Sequence, residues 1–302
     1  MATKGSTHTV AGVELVRKVA ESGQRLFTTE EARKLAPSVG ISRGYLLQAL
    51  HHLARTGWIV RLKKGLYSLS GSVPGATPLH EFEIAMALVA PAAISHWSAL
   101  SHHGLTEQTP RRVTVLTTAR SVPRIRRRAK ARRAEEGRPQ TQPSAVSRQP
   151  PAAKAQRADE GYPVSGTIYQ FIQVKPERFF GIDDVWVNES RIKMTDPERT
   201  LLDGLMMPQY CGDFSEVLHA FEVRRPNLDM DRIIRYALKL DAATIKRLGW
   251  ILERHGIKPE QLEPLRKVPV KGYRALDPGG PRQGPCDAGW MIQVNLPGKV
   301  RP

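Results

Sequence analysis

Residues 41–69 read ISRGYLLQALHHLARTGWIVRLKKGLYSL, and this stretch decides the fold of the first part of the chain. It predicts a helix over 42–56 running into a two-stranded hairpin with a Lys63-Lys64-Gly65 tip. Ser42 is placed to cap the helix, because a serine hydroxyl can accept from the free N–H groups of a first turn, and Gly57 is placed to end it. At about 100° per residue, Leu46, Leu50, Leu53 and Ala54 share one face, and Gly44, Gln48, His51, His52 and Arg55 share the other. Past Gly57, Trp58, Val60 and Leu62 alternate with Ile59 and Arg61. Leu66, Tyr67 and Leu69 resume beyond the tip, as the second strand of a hairpin does.

Working outward, residues 1–8 read as a loose tail. Val13, Val16, Val19 and Ala20 then recur at helical spacing up to Gly23. Thr28-Thr29-Glu30-Glu31 is a capping signal for a second helix that should stop before Pro37. Three helices and a basic hairpin predict a winged helix-turn-helix over residues 8–72. In that arrangement the third helix enters a major groove and the hairpin tip lies on flanking phosphates or in the minor groove. The candidate DNA-binding residues are Ser42, Arg43, Tyr45, Gln48, His52, Arg55, Arg61, Lys63 and Lys64. Gln48 suits adenine and Arg55 suits guanine or a phosphate. Lysines at the tip also protect an edge strand, so the tip has a purely structural reading as well.

The charge distribution supports a polyanionic partner. The chain has 302 residues and a formal net charge of +17. Residues 1–75 carry 11 basic and 4 acidic groups, and 119–165 carry 12 and 4, whereas 76–118 and 166–302 are nearly balanced. The second basic segment, rich in Arg, Pro, Gln and Ala, lacks the large apolar residues that offset ordering entropy. It reads as a disordered basic insertion. Its arginines either concentrate the protein on nucleic acid or are solvated chain.

The remainder predicts a mixed α/β C-terminal domain over 78–118 and 166–263, so the fold class is α+β. SGSVPGATP (70–78) is a linker by composition. Helices are expected at 80–89, 94–105, from Asp196, and at about 213–223, 229–240 and 242–255; strands are expected at 112–118, 167–174, 185–188 and 191–194. Asp196-Pro197 is a cap and first-turn pair, and Asp203 is a partner for Arg199 one turn earlier. Residues 264–302 form a Pro/Gly-rich tail expected to drape over this domain.

Catalytic and metal chemistry find little purchase. Cys211 and Cys286 lack zinc spacing and are too few for a disulfide framework. His96, His102 and His103 lack a paired acid on one helix face and read as packing or helix-end groups. Asp183, Asp184, Glu189, Asp196, Glu198 and Asp203 invite a magnesium-dependent nuclease or nucleotidyltransferase reading, but their spacing fits neither. No Walker A, GxGxxG, GxSxG or HExxH sequence occurs. The longest apolar run, Ile84 to Ile94, is interrupted by Pro91 and too short to span a bilayer. The expectation is a soluble, cytoplasmic, non-enzymatic protein with no cofactor, no metal and no membrane partner.

Three blocks carry a family resemblance: GWIVRLKKGLYSLS (57–70), ISHWSALSHHGLTEQTPRRVTVLTT (94–118) and FIQVKPERFFGIDDVWVNESRIKMTDPERTLLDGL (171–205). Together they resemble the AbiEi antitoxins of abortive-infection, type IV toxin-antitoxin systems, also described as transcriptional regulators of viral defence. The resemblance lapses only over 119–165. It implies that the winged helix binds double-stranded DNA at operator repeats in the operon's own promoter. It further implies that the C-terminal domain opposes a separately encoded nucleotidyltransferase toxin, with Arg43, Gln48, Arg55, Lys63 and Lys64 contacting DNA by position. The alternatives are a regulator of other genes with a ligand-sensing C-terminal domain, and a DNA-targeted nuclease with an unusual site.

Overall fold

In a computed structural model the chain is a mixed α+β protein, and the described residues are 4–71, 73–74, 77–123 and 161–296. In chain order the first elements are α1 (Lys4–Glu21), β1 (Leu26–Thr28), α2 (Thr29–Leu35), α3 (Leu46–Arg55), β2 (Ile59–Lys63) and β3 (Leu66–Leu69). There follow α4 (Glu81–Leu88), β4 (Ala92–Ile94), α5 (His96–His102), β5 (Arg112–Thr117), β6 (Tyr162–Val164), β7 (Thr167–Gln173), β8 (Ile182–Val187) and β9 (Ser190–Thr195). The last are α6 (Pro197–Met206), α7 (Phe214–Arg224), α8 (Met230–Ala237), α9 (Ala242–Arg254), α10 (Pro259–Arg266), β10 (Arg274–Ala275), β11 (Cys286–Asp287) and β12 (Ile292–Gln293). Two compact units divide the chain, one holding residues up to 78 with the described part of 121–170, the other 79–120 and 171 onward.

In the first unit, α1 starts at Lys4, so most of the stretch read as a loose tail is helical. The start of α2 follows from its sequence: the Thr28 hydroxyl accepts from the Glu31 N–H at 3.2 Å and the Glu31 carboxylate accepts from the Thr28 N–H at 2.6 Å. This reciprocal box satisfies donors that a helix N-terminus would otherwise leave open. The third helix starts later than expected. Residues 43–45 form a turn, no side chain caps α3, and Ser42 contributes its carbonyl oxygen, accepting from Tyr45 and Leu46 N–H at 3.0 and 3.1 Å. Its end is as read: Gly57 takes φ +82°, and the Trp58 N–H donates to the Leu53 carbonyl at 3.0 Å. That bond closes the helix in a Schellman arrangement, where glycine avoids the Cβ penalty of the left-handed region.

β1, β3 and β2 form an antiparallel sheet in that order. Phe27 lies opposite Tyr67 in the register, and the two rings stack at 5.6 Å. Leu46, Ala49, Leu50 and Leu53 bury one face of α3 against Leu15, Val16 and Val19 of α1 and against the sheet side chains Phe27, Ile59 and Tyr67. Even in the segment read as a linker, Val73 is buried in this core. The central part of the expected disordered insertion, 124–160, lies outside the described residues. At its C-terminal end the expectation fails, because Tyr162–Val164 form β6, antiparallel to the start of β7 with Tyr162 opposite Tyr169.

In the second unit the later part of β7 is followed across the sheet by β5, β4, β9 and β8. β4 pairs antiparallel with β5 and parallel with β9. α6 is the central helix, with α5, α7, α8 and α9 all packed on it. That explains why Glu198 through Leu205 are buried without interruption, polar residues included. The C-terminal tail is more integrated than a draped strand: Leu276, Trp290 and Ile292 are fully buried, and β10, β12 and β11 form a small sheet. Gly249 makes room for Trp290, since a Cβ there would lie 2.0 Å from the indole ring. The Trp290 indole N–H donates to Glu253 at 2.8 Å, and the Arg266 guanidinium lies 4.5 Å from the ring centroid.

Candidate nucleic-acid interface

Two features of the first unit carry the candidate residues: the outer face of α3 and the tip of the β2–β3 hairpin. Because the apolar side of α3 is anchored in the core, helical geometry forces the other side outward. Ser42, Arg43, Gly44, Leu47, Gln48, His51 and Arg55 are exposed, whereas Tyr45 and His52 are half-buried. On the hairpin Arg61 and Lys64 are exposed and Lys63 is half-buried, with burial holding its ammonium pKa below the usual lysine value.

The hairpin tip is held from both sides. The β2–β3 register slips between Arg61 and Lys63, and the carbonyl of the intervening Leu62 accepts from the Tyr162 hydroxyl at 2.9 Å. Gly65 takes φ +79°, and its carbonyl accepts from the Thr29 N–H at the start of α2 at 2.9 Å. A bulge increases local twist and re-aims the side chains beside it. Tyr162 and Thr29 therefore fix where Lys63 and Lys64 project.

The electrostatics are one-sided. Residues 32–80 contain seven basic groups and no Asp or Glu. The acidic residues of this unit's helical part are engaged elsewhere: Glu14 and Glu21 lie 2.8 and 3.5 Å from Arg17, Glu30 pairs with Arg33, and Glu31 closes the α2 box. Within residues 32–80 themselves the sequence places no carboxylate beside these cations.

The acidic residues of the second unit are placed quite differently. Asp196 caps α6, its carboxylate accepting from the Arg199 N–H at 2.7 Å and from the Tyr236 hydroxyl at 2.9 Å. Burial raises the Asp196 pKa, while burial and that hydrogen bond push Tyr236 up to about 12. Glu198 accepts from Arg224 at 2.8 and 3.0 Å and from the Asp229 N–H at 3.2 Å. Arg199 and Asp203 form a fully buried pair at 2.9 Å, with Phe180 4.4 Å from the guanidinium. On the exposed strand pair, Asp184 lies 3.3 Å from both Arg191 and Lys193.

Of the three histidines, His96 and His103 occupy packed positions, whereas His102, the last residue of α5, is exposed. His96 is fully buried, its Nδ1 3.0 Å from the Ser95 hydroxyl, and burial lowers its pKa to about 4. His103 Nε2 lies 2.8 Å from the Thr195 carbonyl oxygen. Among the described residues no group of three or more His, Cys, Asp or Glu is arranged to hold a metal ion. Among them, too, no helix is long and apolar enough to cross a membrane.

Sequence periodicity finds the outer face of α3, and with it Gln48, His51 and Arg55. It gives no sign of Tyr162, which reaches the hairpin from a hundred residues away in sequence. Leu47 is easily passed over for another reason: a leucine in a helix is read as core, yet this one is 62 % exposed.

No curated protein matches the chain. Its fold is similar to that of the Rv2827c protein from Mycobacterium tuberculosis in its crystal structure, with a TM-score of 0.60, 15 % identity, and coverage of 92 % of this chain and 88 % of that one. Residues 14–70, which carry α2, α3 and the hairpin, match the family model described as "Transcriptional regulator, AbiEi antitoxin".

Proposed function

We propose that the chain is a DNA-binding antitoxin whose first unit is a winged helix-turn-helix. It docks α3 in a major groove at operator repeats in its own promoter and represses that operon. The β2–β3 hairpin serves as the wing, laying Lys63 and Lys64 on flanking phosphates. Ser42, Arg43, Tyr45 and Arg61 contribute backbone contacts, and Gln48, His52 and Arg55 reach toward base edges. The second unit counteracts a separately encoded nucleotidyltransferase toxin. The protein works in the cytoplasm by binding, without catalysis or a cofactor.

The observation that carries the DNA reading is the exposed face of α3 and the hairpin, lying in a 49-residue stretch, 32–80, with seven cations and no carboxylate. A duplex presents one phosphate charge per about 1.7 Å of axis, so such a surface gains by releasing condensed counterions. Base-edge contacts by Gln48 and Arg55 then add roughly 1–3 kcal/mol of discrimination each. The non-enzymatic reading is supported by Asp196, Glu198 and Asp203, whose carboxylates serve as a helix cap and in ion pairs.

The test has two arms. Fluorescence anisotropy should show the full chain binding the duplex upstream of its own coding region more tightly than a scrambled duplex, and Gln48→Ala with Arg55→Ala should remove that preference. Equal affinity for both duplexes would remove the operator reading. Co-expression with a nucleotidyltransferase encoded beside it should restore growth, and the Gln48→Ala, Arg55→Ala variant should restore it equally. Loss of rescue in that variant would place the antitoxin activity in the DNA-binding face instead.

A further inference from the structure

We infer that Leu47 is a specificity residue that packs against a thymine methyl group in the major groove; this rests on the DNA-binding reading above. Leu47 is the second residue of α3, and in helix-turn-helix docking the N-terminal residues of the recognition helix meet the base edges. It is 62 % exposed although the rest of the helix's leucines, Leu46, Leu50 and Leu53, are buried. A leucine in that position leaves most of its apolar surface in solvent.

Its surroundings define what would cover it. Gln48, His51 and Arg55 share its face, so the apolar side chain is framed by polar and cationic groups rather than by a wider apolar patch. A framed single apolar contact fits a groove where hydrogen-bonding edges alternate with the thymine methyl, the one apolar group a base pair presents there. A protein partner would call for a larger continuous apolar area.

Gly44, one turn before Leu47, is an independent observation. Its backbone is not in the left-handed region, and a Cβ added there would meet nothing within 4 Å. Neither the local conformation nor the packing of the fold requires glycine at this position. The absence of a side chain there lets the start of the helix come close to whatever lies opposite.

The test begins by selecting duplexes from a random-sequence pool with the full chain. In the selected site each thymine is then replaced singly by deoxyuracil, which removes only the methyl group. At one thymine position at least, the wild-type chain should weaken by about fourfold, the effect of one buried methyl. Leu47→Ala should bind the thymine and deoxyuracil duplexes equally at that position. Gly44→Ala should weaken binding to the selected site while leaving the melting temperature unlowered. If wild type and Leu47→Ala respond alike to every replacement, the inference is overturned. The same holds if Leu47→Ala changes the sedimentation coefficient of the free protein, which would make Leu47 a contact between copies. A pool that enriches no sequence overturns the sequence-reading role of α3 and the Leu47 inference with it; enrichment without a Leu47-dependent methyl effect overturns the inference alone.

Discussion

The Tyr162 hydroxyl donates to the Leu62 carbonyl oxygen at 2.9 Å, at the point where the β2–β3 register slips. The bond supplies a partner for a main-chain acceptor at an irregularity in the ladder. It also ties the basic hairpin to β6. Tyr162→Phe removes the donor and little else, so the first unit should lose about 1 kcal/mol of stability, the net worth of one such hydrogen bond. Urea unfolding followed by tryptophan fluorescence at Trp58 measures this. An unchanged midpoint would show that the hairpin holds its shape without Tyr162.

The hairpin tip makes a separate, electrostatic prediction. Replacing Lys63 and Lys64 together with alanine should flatten the plot of log K against log salt by roughly one unit per lost phosphate contact. Specificity among sequences should change little, because phosphate contacts carry no direct base information. A slope equal to that of the wild type would take the hairpin out of the interface.

In the second unit the Arg199–Asp203 pair is fully buried, and its two halves are not independent. Arg199→Met alone strands a buried carboxylate, which typically costs about 3–5 kcal/mol. Arg199→Met combined with Asp203→Leu removes both charges and should be markedly less destabilising than the single change. Chemical denaturation of the three proteins compares them. A double variant worse than the single one would show that the pair contributes net stability beyond mutual compensation.

His96 makes the stability of the second unit depend on pH. Burial lowers its folded pKa to about 4 from an ordinary value of 6.5, so between these values the unfolded chain binds the extra proton. Stability from this group is therefore fully present above about pH 6.5 and is lost as the pH falls toward 4. The loss should approach roughly 2–3 kcal/mol, each tenfold change in proton affinity being worth about 1.4 kcal/mol. His96 has φ +49°, so asparagine, which tolerates that backbone region, is the suitable replacement. His96→Asn should flatten the melting temperature between pH 7 and 5, and a profile as steep as the wild type's would assign the dependence to other groups.

Much of the fold could be read from the residues because local rules act over a few positions. Thr28 and Glu31 form their box, Gly57 ends α3, and Asp196 caps α6 because each needs only neighbours three to five residues away. The buried and exposed faces of α3 follow from the same short-range periodicity. Local reasoning reached its limit at Ser42, where the chain takes a turn before the helix and the hydroxyl's expected role passes to a carbonyl.

What the sequence by itself determined is most of the longer helices and strands, the carboxylate-free stretch from 32 to 80, and the outward face of α3, but not β1, β4, β6, α10 or the small C-terminal sheet. What only the tertiary structure decided are the meetings between distant residues. Tyr162 on the Leu62 carbonyl, Trp290 in the space left by Gly249, and α6 buried on every side all depend on which segments pack together. The physical reason is range: capping and periodicity are fixed within a helical turn, whereas burial and long-range hydrogen bonding are fixed by the packing of the whole chain.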